Sequence, residues 1–134
     1  MEITTTEIDI QTLITKTFGG GGGSAFNPRG IKTLAIRSGN EVDAIIINNE
    51  HFGGTGGTLS KTITLAPDEV IIRMDIRSGS RIDKLSIFTS EGQKIEGGGN
   101  GGSESTIRGK MITFGGRSGA RLDQIQVLGD YDLD

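Results

Sequence analysis

Cysteine is absent from this chain of 134 residues, and histidine occurs only once. Without cysteine the protein has neither a disulfide framework nor a thiolate metal site. One histidine, His51, is too few to build a histidine-based metal cluster, and we expect it to be a surface turn residue. The sequence therefore predicts a protein with no bound metal and no cofactor.

The chain also has no excess of positive charge and no long apolar run. The formal net charge is -3 and the isoelectric point is near 5.2, whereas nucleic-acid binding needs a basic surface. Apolar runs stay well below the roughly 18 residues that span a membrane. The start, "MEITTTEIDI", carries acid where a signal peptide carries base. We expect a soluble protein without nucleic-acid or membrane partners, which stays in the cytoplasm or leaves it by a route that the sequence does not show.

Glycine is abundant instead, and its 23 copies are clustered. The clusters read "GGGGGS" from Gly19, "GGTGGT" from Gly53 and "GGGNGGS" from Gly97. They lack the three-residue period of collagen, and "GGGGGS" lacks the Gly-Lys-Ser/Thr ending of a phosphate-binding loop. Glycine clusters between apolar runs indicate turns where the backbone has a positive φ or approaches another group closely.

A second motif recurs at a fixed interval. The chain reads "IRSGNEVD", "IRSGSRID" and "GRSGARLD", and the three aspartates are 40 residues apart: Asp43, Asp83 and Asp123. Each repeat therefore contains one glycine-rich loop and one Gly-xxx-Asp loop, which indicates equivalent structural units. A single Gly-xxx-Asp would be interpreted as an Asx-type turn, in which the aspartate caps its own backbone. The recurring arginines are expected to pair with an acid or to cap loop carbonyls: Arg37, Arg77 and Arg117.

Between these loops the sequence alternates apolar and polar residues, as in "KTLAIRS", "KLSIFTS" and "QIQVLGDY". Period-two runs bounded by Gly, Asn and Ser are typical of strands, and no segment shows a sustained helical period. We predict an all-β domain of about twelve strands, four to a repeat. Three four-stranded antiparallel sheets would bury their apolar faces as a three-sided prism with pseudo-threefold symmetry. A β-trefoil is the alternative, but this Ile-rich chain has few of the aromatic residues that a trefoil core usually contains.

Residues 1–17 fall outside the threefold pattern. The segment "EIDIQTLIT" alternates, so it predicts an extra edge strand, a strand swapped with another chain, or a frayed arm. An exposed edge strand favours pairing with a second copy, which makes a homodimer one of the alternatives. The expected organisation is an N-terminal extension or extra strand over 1–17 and one domain over 18–134.

The loops resemble those of a known family. "FGGGGGSAF", "IRSGNEVDAIIINNEHFGGTGGTLS" and "IRSGSRIDKLSIF" are similar to jacalin-related lectins of the mannose-binding type, and the resemblance covers residues 18 to 127. It implies a β-prism I fold and metal-independent binding of mannose- or glucose-type glycans.

The resemblance also implies the binding residues. The carboxylates are Asp43, Asp83 and Asp123, and the glycines that donate a backbone N–H from the neighbouring loop are, in the same order, Gly57, Gly102 and Gly23. The remaining carbohydrate-binding residues precede each aspartate: Gly39, Asn40, Glu41 and Val42; Gly79, Ser80, Arg81 and Ile82; Gly119, Ala120, Arg121 and Leu122.

This choice of residues suits a sugar. A carboxylate accepts two hydroxyl protons at once, and such charge-assisted hydrogen bonds are about twice as strong as neutral ones. Loop N–H groups donate to the remaining sugar oxygens without a cost in side-chain entropy. We expect roughly millimolar to micromolar binding of a monosaccharide at each site, about -4 to -8 kcal/mol. A branched high-mannose glycan that engages several sites would gain about 10²–10⁴-fold in avidity.

One position departs from the three-site members of this family. They usually carry a tyrosine two residues before the aspartate, where this chain has Glu41, Arg81 and Arg121. The two arginines could reach a sugar hydroxyl or simply be solvated, and we favour the solvated interpretation. Glu41 beside Asp43 does not predict glycoside hydrolysis, because an exposed turn lacks the enclosed cleft of such enzymes, and no enzymatic activity is expected. The alternative function is a β-prism module for protein interaction or structure that does not bind sugar.

Overall fold

The computed structural model describes residues 12–134. Its strands are β1 (Ile14–Gly19), β2 (Ser24–Gly30), β3 (Thr33–Ser38), β4 (Val42–Ile47), β5 (Glu50–Gly53), β6 (Thr58–Leu59), β7 (Ile63–Thr64), β8 (Ile71–Ser78), β9 (Ile82–Thr89), β10 (Lys94–Gly98), β11 (Ser103–Ser118) and β12 (Leu122–Leu133). Over this part of the chain there is no α-helix, and hence none long and apolar enough to cross a membrane. The prediction of an all-β domain is confirmed.

Hydrogen bonds join the strands into two antiparallel sheets. A seven-stranded sheet has the order β1-β12-β11-β8-β9-β10, with β2 also paired to β11. A five-stranded sheet has the order β5-β4-β3-β6, with β7 also paired to β3. The long strand β11 pairs with β8 along its first half and with β2 along its second half. Because β11 pairs with both β8 and β2, strands that were expected in two different sheets belong to one hydrogen-bonded sheet. The arrangement as three separate four-stranded sheets therefore stays a prediction.

The two sheets enclose one aliphatic core. Alternate residues of β3, β4, β8, β9, β11 and β12 face it, and Phe114 is its largest fully buried side chain. Three core residues stand at the starts of β4, β9 and β12 and are 0% exposed: Val42, Ile82 and Leu122. Burial of an aliphatic side chain of this size stabilises a fold by about 1.5–3 kcal/mol. These three residues therefore anchor the loops that precede them.

The N-terminal strand joins the fold within the same chain. β1 pairs antiparallel with β12, from Ile14 opposite Gly129 to Gly19 opposite Gln124. The rest of the predicted extension, residues 1–11, lies outside the described residues. The division at residue 17 stays a prediction.

A buried glutamate closes the turn that contains Pro67. The Ala66 N–H donates to Glu69 Oε1 over 2.9 Å, and the Thr89 hydroxyl and the Gln93 amide also donate to this carboxylate. These hydrogen bonds, first that from Thr89, then those from Ala66 and Gln93, hold the pKa of Glu69 below its ordinary value of 4.5. The turn is therefore stabilised by the ionised form of Glu69.

Acid is expected to weaken the fold through this residue. Because the pKa of Glu69 is lower in the folded than in the unfolded protein, its contribution is complete above pH 4.5 and is lost as the pH falls through the lowered pKa. The unfolding midpoint temperature of Glu69→Gln should be lower than that of wild type near pH 7, and should fall less between about pH 5 and about pH 3. Glu91→Gln, an exposed carboxylate near the same turn, is the control and should keep the wild-type slope. Equal slopes for Glu69→Gln and wild type would contradict this role.

Candidate functional site

The three Gly-xxx-Asp motifs form the same tight hairpin turn. Each turn has three residues, at 39–41 between β3 and β4, 79–81 between β8 and β9, and 119–121 between β11 and β12. In each, the N–H of the first residue donates to the carbonyl of the third over 2.9–3.0 Å. The aspartate is then the second residue of the following strand. We call these turns the Asp loops.

The glycine-rich loops lie beside the Asp loops because of strand pairing. They occupy 20–23 between β1 and β2, 54–57 between β5 and β6, and 99–102 between β10 and β11. The strand after each glycine-rich loop pairs with the strand before an Asp loop, as in Thr58 opposite Ser38, Ser103 opposite Ser78 and Ser24 opposite Ser118. Three equivalent loop pairs result, so residues distant in sequence meet at each one.

The last glycine of each glycine-rich loop lies against a carboxylate. Gly57, Gly102 and Gly23 have φ values of 70°, 68° and 68°. A Cβ atom at these positions would lie 2.7, 2.6 and 2.7 Å from Oδ2 of the facing aspartate. The backbone therefore approaches each carboxylate as closely as glycine allows. We call the pairs the first site (Asp43 with Gly57), the second site (Asp83 with Gly102) and the third site (Asp123 with Gly23).

The recurring arginines hold the glycine-rich loops. Arg37 Nε donates to the Gly56 carbonyl over 3.1 Å, and its Nη2 donates to that of Gly57 over 3.3 Å. Arg77 and Arg117 donate in the same way to the glycine carbonyls of the second and third sites. Of the two predicted roles, the capping of loop carbonyls is confirmed for all three arginines, and Arg77 also pairs with an acid, because its Nη1 lies 3.7 Å from Glu104 Oε2. They fix each glycine-rich loop through its carbonyl groups.

The three aspartate carboxylates are left with their acceptor capacity unused. Each side chain is only partly buried. Within residues 12–134, none of the three carboxylates accepts a hydrogen bond or forms an ion pair with another part of the chain. An Asx-type turn would show the aspartate accepting its own loop N–H, and that interpretation is wrong here. Six carboxylate oxygens are therefore available to an external donor.

The three sites contact one another in a closed cycle. A Cβ atom at Gly99 of the second site would lie 2.5 Å from the Asn40 carbonyl of the first. Gly20 of the third site approaches Ser80 of the second, and Gly54 of the first approaches Ala120 of the third, at 2.3 and 2.1 Å on the same measure. All three sites consequently lie at one end of the molecule, edge to edge.

The residues two positions before the aspartates form an ion-pair cluster. Arg81 Nε donates to Glu41 Oε2 over 2.8 Å, and Arg121 Nε lies 3.6 Å from Glu41 Oε1. The hydrogen bond from Arg81 and the charge of Glu41 raise the pKa of Arg81 above its ordinary range. The interpretation of the two arginines as merely solvated is wrong, because both form ion pairs with Glu41. Glu41 thereby connects the first Asp loop to the other two Asp loops.

His51 lies in strand β5 rather than in a turn. The turn comes earlier, at Asn48 and Asn49, whose φ values of 53° and 69° form a two-residue hairpin connection. His51 is exposed, and its Nε2 lies 2.7 Å from the Gly54 carbonyl, to which it donates. His51 therefore stabilises the glycine-rich loop of the first site by a hydrogen bond at the protein surface.

The structure brings together most of the predicted site residues, and it places three further glycines beside the aspartates. The side chains of Val42, Ile82 and Leu122 point into the core, so that only their backbone is available to a ligand. The residues missed are Gly22, Gly56 and Gly101, where a Cβ atom would lie 2.8, 3.1 and 2.7 Å from Oδ1 of the same aspartates. A sequence signal for these residues was present, because every glycine cluster ends with two consecutive glycines. In the structure each of the two glycines faces one carboxylate oxygen.

Comparison with known proteins gives one consistent family. The sequence profile described as "Jacalin-like lectin domain" matches residues 15–128. Griffithsin from Griffithsia sp. is 42% identical over 118 residues, which is 87% of this chain and 96% of griffithsin. Among solved structures, wild-type Malaysian banana lectin has a TM-score of 0.75 and 29% identity, covering 87% of this chain and 96% of its own. Artocarpin, solved in complex with methyl-α-mannose, has a TM-score of 0.70 and 20% identity, covering 88% and 98%. This jacalin-like fold excludes the β-trefoil alternative.

Proposed function

The chain belongs to the jacalin-like lectin family, and we propose that it binds mannose- or glucose-type glycans through three equivalent sites without a metal ion. The family membership supports carbohydrate binding in general. The sugar class rests on the resemblance of the loops to mannose-type members. The lectin domain of this proposal is residues 18–134, preceded by the extension over 1–17.

The observation that carries the proposal is the unused carboxylate at each loop pair. A pyranose offers adjacent hydroxyls that must donate as well as accept, and an ionised carboxylate is an acceptor only. The glycines that border each carboxylate carry no Cβ atom that would crowd it. The adjoining loop N–H groups would then supply the donors. A metal is not needed in this scheme, because protein acceptors and donors together satisfy the hydroxyls.

The strand pairing supports a three-sided prism as the scaffold. Three groups of strands surround the three sites: β3 to β7, then β8 to β10 with the first half of β11, then β1, β2 and β12 with the second half of β11. In every group, the strand that follows the glycine-rich loop pairs with the strand that precedes the Asp loop, and the register of this pairing is the same in all three groups. We propose that these groups are the three faces of a β-prism I fold, with β11 passing from one face to the next.

Grouping the sites at one end favours multivalent binding. Because the Asp loop of each site touches the glycine-rich loop of its neighbour, the arms of one branched glycan have only a short distance to bridge. A second contact made by the same glycan is intramolecular and raises avidity by about 10²–10⁴-fold when the spacing fits. We propose branched high-mannose glycans as the ligands, and we keep a homodimer as a further source of valency.

One observation favours a second candidate function. The positions where a tyrosine would pack against a sugar hold the Glu41–Arg81–Arg121 cluster instead. A prism of this kind without sugar affinity would be a protein-interaction or structural module. Isothermal titration calorimetry with a branched mannose oligosaccharide, with EDTA present, separates the two functions. We expect binding to the mannose oligosaccharide and none to a galactose oligosaccharide used as the control. No heat with any mannose or glucose ligand would favour the interaction module.

A further inference from the structure

The Glu41–Arg81–Arg121 cluster takes one residue from each Asp loop. Glu41 is the only acid among the three, and both arginines face it. It is also the most shielded member, with 25% of its side chain exposed against 41% for Arg81 and 45% for Arg121. One carboxylate of the first site therefore contacts the turns of the other two.

The backbone connects this cluster to the binding positions. Each cluster residue closes its three-residue turn, as when the Gly39 N–H donates to the Glu41 carbonyl over 3.0 Å. The aspartate of the same site follows two residues later, after a side chain that is anchored in the core. When the ion pairs hold a cluster residue in place, the loop N–H groups that border the carboxylate are restrained as well. When the ion pairs are removed, the turn can move more.

We infer that Glu41 is a positioning residue for all three sites, and that it couples the second and third sites to the first. This inference rests on the proposed function. The coupling should be unequal, because Arg81 is hydrogen-bonded to Glu41 at 2.8 Å whereas Arg121, at 3.6 Å, is only an ion pair. The second site should depend on Glu41 more strongly than the third.

Exposed ion pairs are weak, and the expected effect is correspondingly small. Glu41→Gln keeps the size of the side chain and removes its charge. We expect it to weaken sugar binding at the second site by about two- to five-fold, and at the third site by less. The midpoint of urea unfolding should stay close to that of wild type, as for most surface substitutions.

The test is a titration of ¹⁵N-labelled protein with methyl α-mannoside, followed by NMR. The amide signals of Gly57, Gly102 and Gly23 report the first, second and third sites separately. Glu50→Gln is the matched control, since it removes the acid of another exposed ion pair, with Arg29, outside the Asp loops; it should change none of the three affinities. Raising the salt concentration to about 1 M should weaken the second site in wild type but not in Glu41→Gln, because the pair is screened.

A double-mutant cycle isolates the pair from changes within the second site itself. Arg81→Gln alone should weaken the second site, and adding Glu41→Gln to it should cost nothing further there. Additive effects, an effect of Glu41→Gln confined to the first site, or tighter binding at the second site would each overturn the inference. If wild type shifts none of the three amide signals, the proposed function itself fails, and that outcome is distinct from the other three.

Discussion

Replacing Asp43, Asp83 and Asp123 together by alanine is expected to abolish glycan binding while leaving the fold intact. Each carboxylate would accept two hydroxyl protons, and hydrogen bonds to a charged group contribute about 1.5–3 kcal/mol each. Losing both removes about 3–6 kcal/mol, or about 10²–10⁴-fold in affinity at that site. Since a whole monosaccharide site is expected to provide only about -4 to -8 kcal/mol, none of the three would bind measurably.

The variants with fewer replacements give a graded series. Calorimetry with methyl α-mannoside should show the number of bound sugars fall by one with each aspartate removed, until the triple variant binds none. Asp68→Ala, an exposed aspartate in the Pro67 turn, is the control and should bind like wild type. Stability should be almost unchanged in every variant, because these carboxylates make no hydrogen bond or ion pair within residues 12–134. A folded triple variant that still binds would show that the sugar is held elsewhere.

Gly23→Ala is expected to destroy the third site and to destabilise the protein. The new Cβ atom would lie 2.4 Å from the Ser118 carbonyl oxygen and 2.7 Å from Asp123 Oδ2, and the backbone φ of 68° is one that alanine rarely adopts. Strain of this kind costs about 1–3 kcal/mol. The same atom would also displace the Asp123 carboxylate from its position beside the loop.

Gly21→Ala, in the same loop, is the matched control. Gly21 has no positive φ, and a Cβ atom there meets nothing within 4 Å. Urea unfolding should give Gly21→Ala a stability within about 0.5 kcal/mol of wild type, and the protein should still bind three sugars. Gly23→Ala should bind two. If both variants behaved alike, the close approach of Gly23 to Asp123 would not matter for binding.

The repeated motifs predicted the local parts of this site well. The 40-residue spacing of the aspartates and the three glycine clusters predicted three equivalent loop pairs, because identical turns need identical residues at the same offsets. The recurring arginines were likewise predicted to cap loop carbonyls or to pair with an acid. Residues whose roles are set within one loop, or between two loops of one repeat, leave a pattern that can be recognised in the sequence.

Contacts between repeats could not be predicted in this way. Whether Arg81 and Arg121 reach Glu41 depends on how the three turns are inclined toward one another, and residue spacing carries no such information. The continuity of β11 is a similar case, since it runs past Gly109 and a register shift between Met111 and Thr113 to connect two strand groups. His51 was predicted to lie in a turn, whereas Asn48 and Asn49, which tolerate a positive φ, form the turn before it.

The most direct test of the three-site account is a crystal structure of the protein soaked in methyl α-mannoside. We predict three bound sugars at one end of the molecule. Each should donate two hydroxyls to one carboxylate, of Asp43, Asp83 or Asp123, and should accept from the facing glycine N–H of Gly57, Gly102 or Gly23. A sugar bound away from these loop pairs, or three empty loop pairs under saturating sugar, would contradict the account.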